Sequence, residues 1–200
     1  MTAQQLYYTI KQAYPQSEVS SICYTNQRCK RNGFCADMQT GNVIDFDSVK
    51  DDMCKGQASK PASVDAVCVT GIGHVFYFVE LKGWQLYIDN IYNQKRTPEE
   101  TASGYNLAGK LSDSQRLCMQ LASDNNLFAT MPVRFLLVTD INTQADGINA
   151  FHSLLNQLGQ SSTDLYSECL SQARRTLDLE IFIDKDYVSC KDFARYLSNE

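Results

Sequence analysis

The chain has 200 residues, 44% of them hydrophobic and 20% charged, with a net charge of −5. That is the size and composition of one globular domain with a sizeable core, and no apolar run approaches the ~18 residues that cross a bilayer. The acidic balance weighs against a strong, free-standing grip on nucleic acid, which needs a basic footprint.

The opening residues, "MTAQQLYYTIKQAYPQ", have neither the basic head nor the apolar run of a secretory signal, so a cytoplasmic setting is expected. Leu6, Ile10 and Ala13 lie on one stripe of a helix over residues 3–14, which Pro15 ends. Residues 20–42 show no period and read as loops with short elements. They hold Cys23, Cys29 and Cys35, and Cys54 follows. The spacing is not that of a short zinc hook, so reduced thiols are the reading and zinc the lesser alternative. The same loop carries Arg28, Lys30 and Arg31, a local basic group. "NVIDFDS" (42–48) is a strand candidate, and "SVKDDMCKG" adds a helical turn closed by Gly56.

"VDAVCVTGIGHVFYFVELKG" (64–83) reads as two apolar strands around a Gly-containing turn, yet it carries Asp65, Glu80 and Lys82. A two-residue loop at Ile72 and Gly73 sets Asp65 opposite Glu80 on one face, with Cβ atoms ~5 Å apart. A three-residue loop with simple pairing puts Val79 there instead. Lys82 shares the face of Glu80 because side chains alternate along a strand. Two facing carboxylates repel each other, and a hard divalent cation is the economical compensation. The plainer alternative is a salt-bridge network on a sheet rim, but the surrounding apolar residues speak against idle charges.

Residues 84–104 look irregular. "YNLAGKLSDSQRLCMQLASD" (105–124) is a helix with Leu107, Leu111, Ser114, Cys118 and Leu121 on its stripe. "VRFLLVTD" (133–140) is the continuous apolar run of a strand covered on both faces. Helices follow at 147–158 and 162–176, then a strand at "DLEIFID" (178–184) and a short helix near 190–198. No repeat or linker divides the chain. One mixed-sheet α/β domain is expected over 1–200, with an α-β-β-β-α-β core at about 3–140 and an αα-β-α extension at about 147–198.

An Asp at the start of one strand, followed some fifteen residues later by Glu-x-Lys at the end of the next, resembles the PD-(D/E)xK nuclease superfamily. Here the motif reads "SVDAV … FYFVELKGW", and the element order of the first two-thirds is similar to that superfamily's core. The resemblance implies a restriction-endonuclease-like fold and metal-dependent phosphodiester hydrolysis with Mg²⁺ or Mn²⁺. Asp65 and Glu80 would be its metal-binding acids and Lys82 its catalytic lysine. Ser63-Val64 stands where the family name has Pro. The superfamily often adds an acid from the first helix, which has none here, and Glu18 falls after Pro15. Asp45 or Asp47 is the substitute, and Asp47 completes the expected metal set. Gln85 is a further polar contact, and Arg28, Lys30 and Arg31 are expected to guide nucleic acid, DNA before RNA and weakly without a partner. The alternative is a catalytically inactive domain of the same fold that binds a partner protein. Other chemistries fit worse. There is no Gly-rich phosphate loop, and His74 and His152 form no metal motif.

Overall fold

The computed structural model describes residues 1–25, 41–70, 73–82, 97, 100, 103–139, 175, 181–190 and 192–199. Helix α1 (Ala3–Ala13) starts at a reciprocal cap: Thr2 Oγ1 accepts from Gln5 N while Gln5 Oε1 accepts from Thr2 N. It buries Ala3, Leu6, Tyr7 and Ile10, so the expected stripe is the core-facing one. A two-residue strand β1 (Glu18–Val19) follows, which carries too few residues to announce itself by alternation. Strand β2 (Val43–Asp45) is shorter than the 42–48 run, because the Asp45 carboxylate accepts from Ser48 N and starts helix α2 (Phe46–Met53) at once. Gly56 follows α2 at φ +84°, a left-handed conformation that suits glycine as the expected stop.

Strands β3 (Ala66–Val69) and β4 (Phe76–Lys82) are the expected hairpin. Their pairs run from Ala66–Val79 to Val69–Phe76, which is the register that sets Asp65 against Glu80. The turn differs in detail from a loop at Ile72 and Gly73, since Gly73 N donates to Thr70 O at 2.8 Å. Helix α3 (Leu107–Ala122) and strand β5 (Val133–Thr139) match their sequence patterns closely. Strand β6 occupies Asp184–Ser189 and helix α4 Phe193–Asn199. Of the strand expected at 178–184, residues 178–180 lie outside the described residues, Ile181, Phe182 and Ile183 precede β6, and only Asp184 belongs to it; the polar run "DKDYVS" is what pairs with β5. The helices expected at 147–158 and 162–176, together with Cys29, Cys35, His152 and Cys169, lie outside the described residues apart from Arg175.

Among the described residues one six-stranded mixed sheet results, in the order β1-β2-β3-β4-β5-β6. The first four strands form an antiparallel meander, and β4, β5 and β6 run parallel. The expected α-β-β-β-α-β order of residues 3–140 is present as α1, β2, β3, β4, α3 and β5, with β1 and α2 added. Alternation divides the sheet's side chains between two layers. Ile44, Val67, Phe76, Phe78, Phe135 and Leu137 pack with α1, α2 and α3. Val43, Ala66, Cys68, Tyr77, Val79, Leu81, Leu136 and Val138 pack with Phe193 and Leu197 of α4 and with Ile22 and Cys23. Each large apolar side chain so buried contributes about 1.5–3 kcal/mol.

The cysteines obey the same division. Cys23 belongs to the α4 layer and Cys54 to the α1 layer, so the two do not share one metal site. Cys23, Cys54, Cys68, Cys118 and Cys190 are all buried. Burial pushes the Cys68 and Cys118 thiols well above the usual range. Among the described residues no helix is long and apolar enough to cross a membrane.

Candidate functional site

The site lies at the carboxyl end of β4, beside the first turn of α3. Open α/β sheets present ligand-binding groups at this end of their parallel strands. Asp65 stands one residue ahead of β3 and is 8% exposed. Its carbonyl accepts from Phe46 N at 3.0 Å, and its Oδ2 accepts from Leu81 N at 2.7 Å. The residue is thus held from the α2 side by its backbone and from β4 by its side chain. Glu80 is 0% exposed. Its Oε1 accepts from Lys82 Nζ at 2.5 Å and from Lys110 Nζ at 2.6 Å. Its Oε2 is buried and has no hydrogen-bond partner among the described residues.

These positions fix the electrostatics. Burial, and next the charge of Glu80, push the Asp65 carboxyl up from 3.8 to about 7, against the pull of Lys110, the Leu81 N–H and Lys82. Burial opposes the Lys110 charge, but Glu80 and then Asp65 outweigh it, so the Lys110 pKa lies above the usual lysine value. The Lys82 ammonium also stands 4.8 Å from the centroid of the Tyr105 ring, within cation–π range. Two acids and two lysines therefore form one compact cluster of balanced formal charge.

Helix α3 positions both halves of it. Lys110, Asp113 and Ser114 are three and four residues apart, hence on one helical face. Ala62 N donates to Asp113 Oδ2 at 2.9 Å and Val64 N to the buried Ser114 Oγ at 3.0 Å. The segment leading into Asp65 is pinned to the helix that carries Lys110. Gly109 lets the helix start this way: a Cβ there would overlap the side chain of Asn106, which sits at φ 50° just before the first turn.

The structure brings Asp65, Glu80 and Lys82 together, as the hairpin register requires. Asp47, the expected third metal ligand, has partners of its own. It accepts from Lys50 Nζ at 2.9 Å and from Ser63 Oγ, and its side chain is 43% exposed. It acts on the cluster as a charge that favours the Lys110 ammonium. Among the described residues no group of three or more His, Cys, Asp or Glu side chains could hold a metal ion. Asp45 caps α2, and Glu18 accepts from Tyr7 Oη at 2.9 Å and pairs with Lys11 at 2.8 Å. His74 is exposed two residues ahead of β4, six residues from Glu80 and so roughly 20 Å away along the chain. Arg28, Lys30, Arg31 and Gln85 lie outside the described residues.

Sequence reasoning missed Lys110, Tyr105 and Ser114 as site residues. Ser114 stood on the apolar stripe of α3 as a buried polar interruption, and Lys110 lay beside it four residues earlier. Both signals were legible, but without the crossover geometry neither pointed to Glu80. Comparison with known proteins adds no relative: no family model matches the chain, and no curated protein or solved structure matches it significantly.

Proposed function

We propose that the chain is a metal-dependent nuclease of the kind its Asp…Glu-x-Lys motif resembles, hydrolysing phosphodiester bonds of nucleic acid, DNA before RNA, on a restriction-endonuclease-like fold. One observation carries the reading: Asp65 and Glu80 share a buried sheet face with Lys82, and Glu80 Oε2 is left without a partner among the described residues. A buried polar oxygen without a partner costs about 1–3 kcal/mol, more for a charged group, so a ligand that uses it has a reason to bind. The α-β-β-β-α-β order, with a parallel crossover directly after the Glu-x-Lys strand, supports the same reading.

The donor set fits magnesium or manganese, hard ions that take one or two carboxylates and leave room for water and phosphate oxygens. Asp65 and Glu80 would hold the ion, and Asp47, engaged by Lys50 and Ser63, stands outside this pair. When bound, such an ion makes water more acidic and offsets charge on a phosphoryl group. The chain's own residues do the rest. The Leu81 N–H orients the Asp65 carboxyl, and burial keeps bulk water from screening it. Lys82, 20% exposed at its side chain, offers N–H donors to a nucleophilic water or to a developing negative phosphoryl oxygen.

The test is a Mg²⁺ or Mn²⁺ titration combined with a cleavage assay. Glu80→Gln, nearly isosteric and uncharged, loses metal affinity and cleavage together. Lys82→Ala keeps metal binding largely intact and loses rate, at least 10²-fold for a lost donor to the reacting centre. Equal metal binding by wild type and both variants, without cleavage, overturns the reading. It would favour a non-catalytic domain that binds a partner protein. What speaks for that second reading is the balanced cluster itself, in which Glu80 Oε1 already holds two ammonium groups.

A further inference from the structure

Lys110 has no counterpart in the motif, yet it reaches the same oxygen of Glu80 as Lys82 does. Its side chain is 22% exposed and stands in the first turn of α3, the end of a helix where the dipole disfavours a cation. Only the acids explain its position. Both ammonium groups meet Glu80 Oε1 at nearly equal distance, 2.5 Å for Lys82 and 2.6 Å for Lys110, and of the two Lys110 acts more strongly on Asp65. Lys82 has a second partner in the Tyr105 ring, whereas Lys110 has a further acid, Asp47, within electrostatic reach. Removing Lys110 from Glu80 therefore leaves each lysine with favourable surroundings, and it frees Oε1 beside the unpartnered Oε2.

We infer that Lys110 is a resident counter-cation: it holds the place of a divalent ion on Asp65 and Glu80, gives Glu80 up when an ion binds, and thereby sets the ion's affinity. The inference rests on the nuclease reading of the same site. Its physical content is competition. An ion must displace a hydrogen-bonded ammonium from a buried carboxylate, so the free protein binds it weakly. Lys110 is in this sense a positioning and regulatory residue, and contact with the reacting atoms is left to Lys82.

Mn²⁺ is the probe, with the free ion counted by electron paramagnetic resonance and no nucleic acid present. Lys110→Met keeps the aliphatic stem and removes the charge, and it binds Mn²⁺ at least tenfold more tightly than wild type. Lys110→Arg keeps the charge and stays within about threefold of wild type, which a purely steric role would not produce. Should Lys110→Met not fold, Lys110→Gln, which still donates to Glu80 without a charge, shows the same gain. If wild type binds Mn²⁺ and the uncharged variants bind it equally or more weakly, the counter-cation role is overturned while the nuclease reading stands. If wild type and every variant neither bind Mn²⁺ nor cleave, both fall.

Discussion

Asp65 has a titration behaviour that its surroundings force on it. Its pKa rises from 3.8 unfolded to about 7 folded, so the native state keeps a proton that the unfolded chain releases. Stability from this group is therefore full below about pH 4 and is lost as pH rises towards and through 7. At about 1.4 kcal/mol per unit the upper bound is roughly 4 kcal/mol. Asp65→Asn keeps an oxygen for the Leu81 N–H and has no charge to bury. Urea unfolding should find the variant close to wild type at pH 4.5 and more stable at pH 8, the gap widening steadily between. A gap independent of pH would contradict the burial of the charge. Hairpin arithmetic alone located Asp65 and Glu80. It did not disclose Lys110, because a contact across 30 residues depends on how α3 packs, which no local pattern encodes.

The elements depend on a few end groups. Helix α3 closes at Ser123, which holds φ 52°, while Asp124 N reaches back to Met119 O at 3.1 Å. A left-handed serine is strained where glycine is not, so Ser123→Gly should raise stability by about 0.5–1 kcal/mol despite glycine's freer unfolded chain. Thermal unfolding checks the sign. Ser114→Ala should do the opposite. It strands the Val64 N–H in the core at a cost of about 1–3 kcal/mol, and it loosens the residue that precedes Asp65. Metal affinity should fall alongside stability, which calorimetry can separate. Elements with a strong period, α1, α3 and β5, were legible in the sequence because burial chose the same faces. Strand β6 was not. It lies at one end of the sheet, where pairing with β5 settles its place and polar residues are tolerated, so the apolar alternation just before it misled.

At the scale of the molecule the net charge of −5 governs partners. Few phosphates can be neutralised, so binding to bare DNA should be weak and should decline further from 50 to 200 mM salt. Arg28, Lys30 and Arg31 are the local exception offered by the sequence. Replacing all three with Ala should reduce DNA retention in a low-salt filter assay, and unchanged retention would remove that loop from the nucleic-acid path. The mixed sheet itself was foreseeable, since hairpin strands precede a helix and a continuous apolar strand. The division of the cysteines between its layers was not, because it depends on which face each connecting segment crosses.

The separation in sequence between the two lysines of Glu80 has a consequence for the order in which the chain folds. Lys82 is two residues from Glu80 and arrives with the β3–β4 hairpin, whereas Lys110 arrives only when α3 docks, 30 residues on. A hairpin that sets two carboxylates face to face needs its own cation early, and local contacts form before distant ones because less loop entropy is lost. In stopped-flow urea experiments Lys82→Met should mainly slow refolding, and Lys110→Met should mainly speed unfolding. The reverse assignment would mean that the helix, and not the hairpin, organises the transition state.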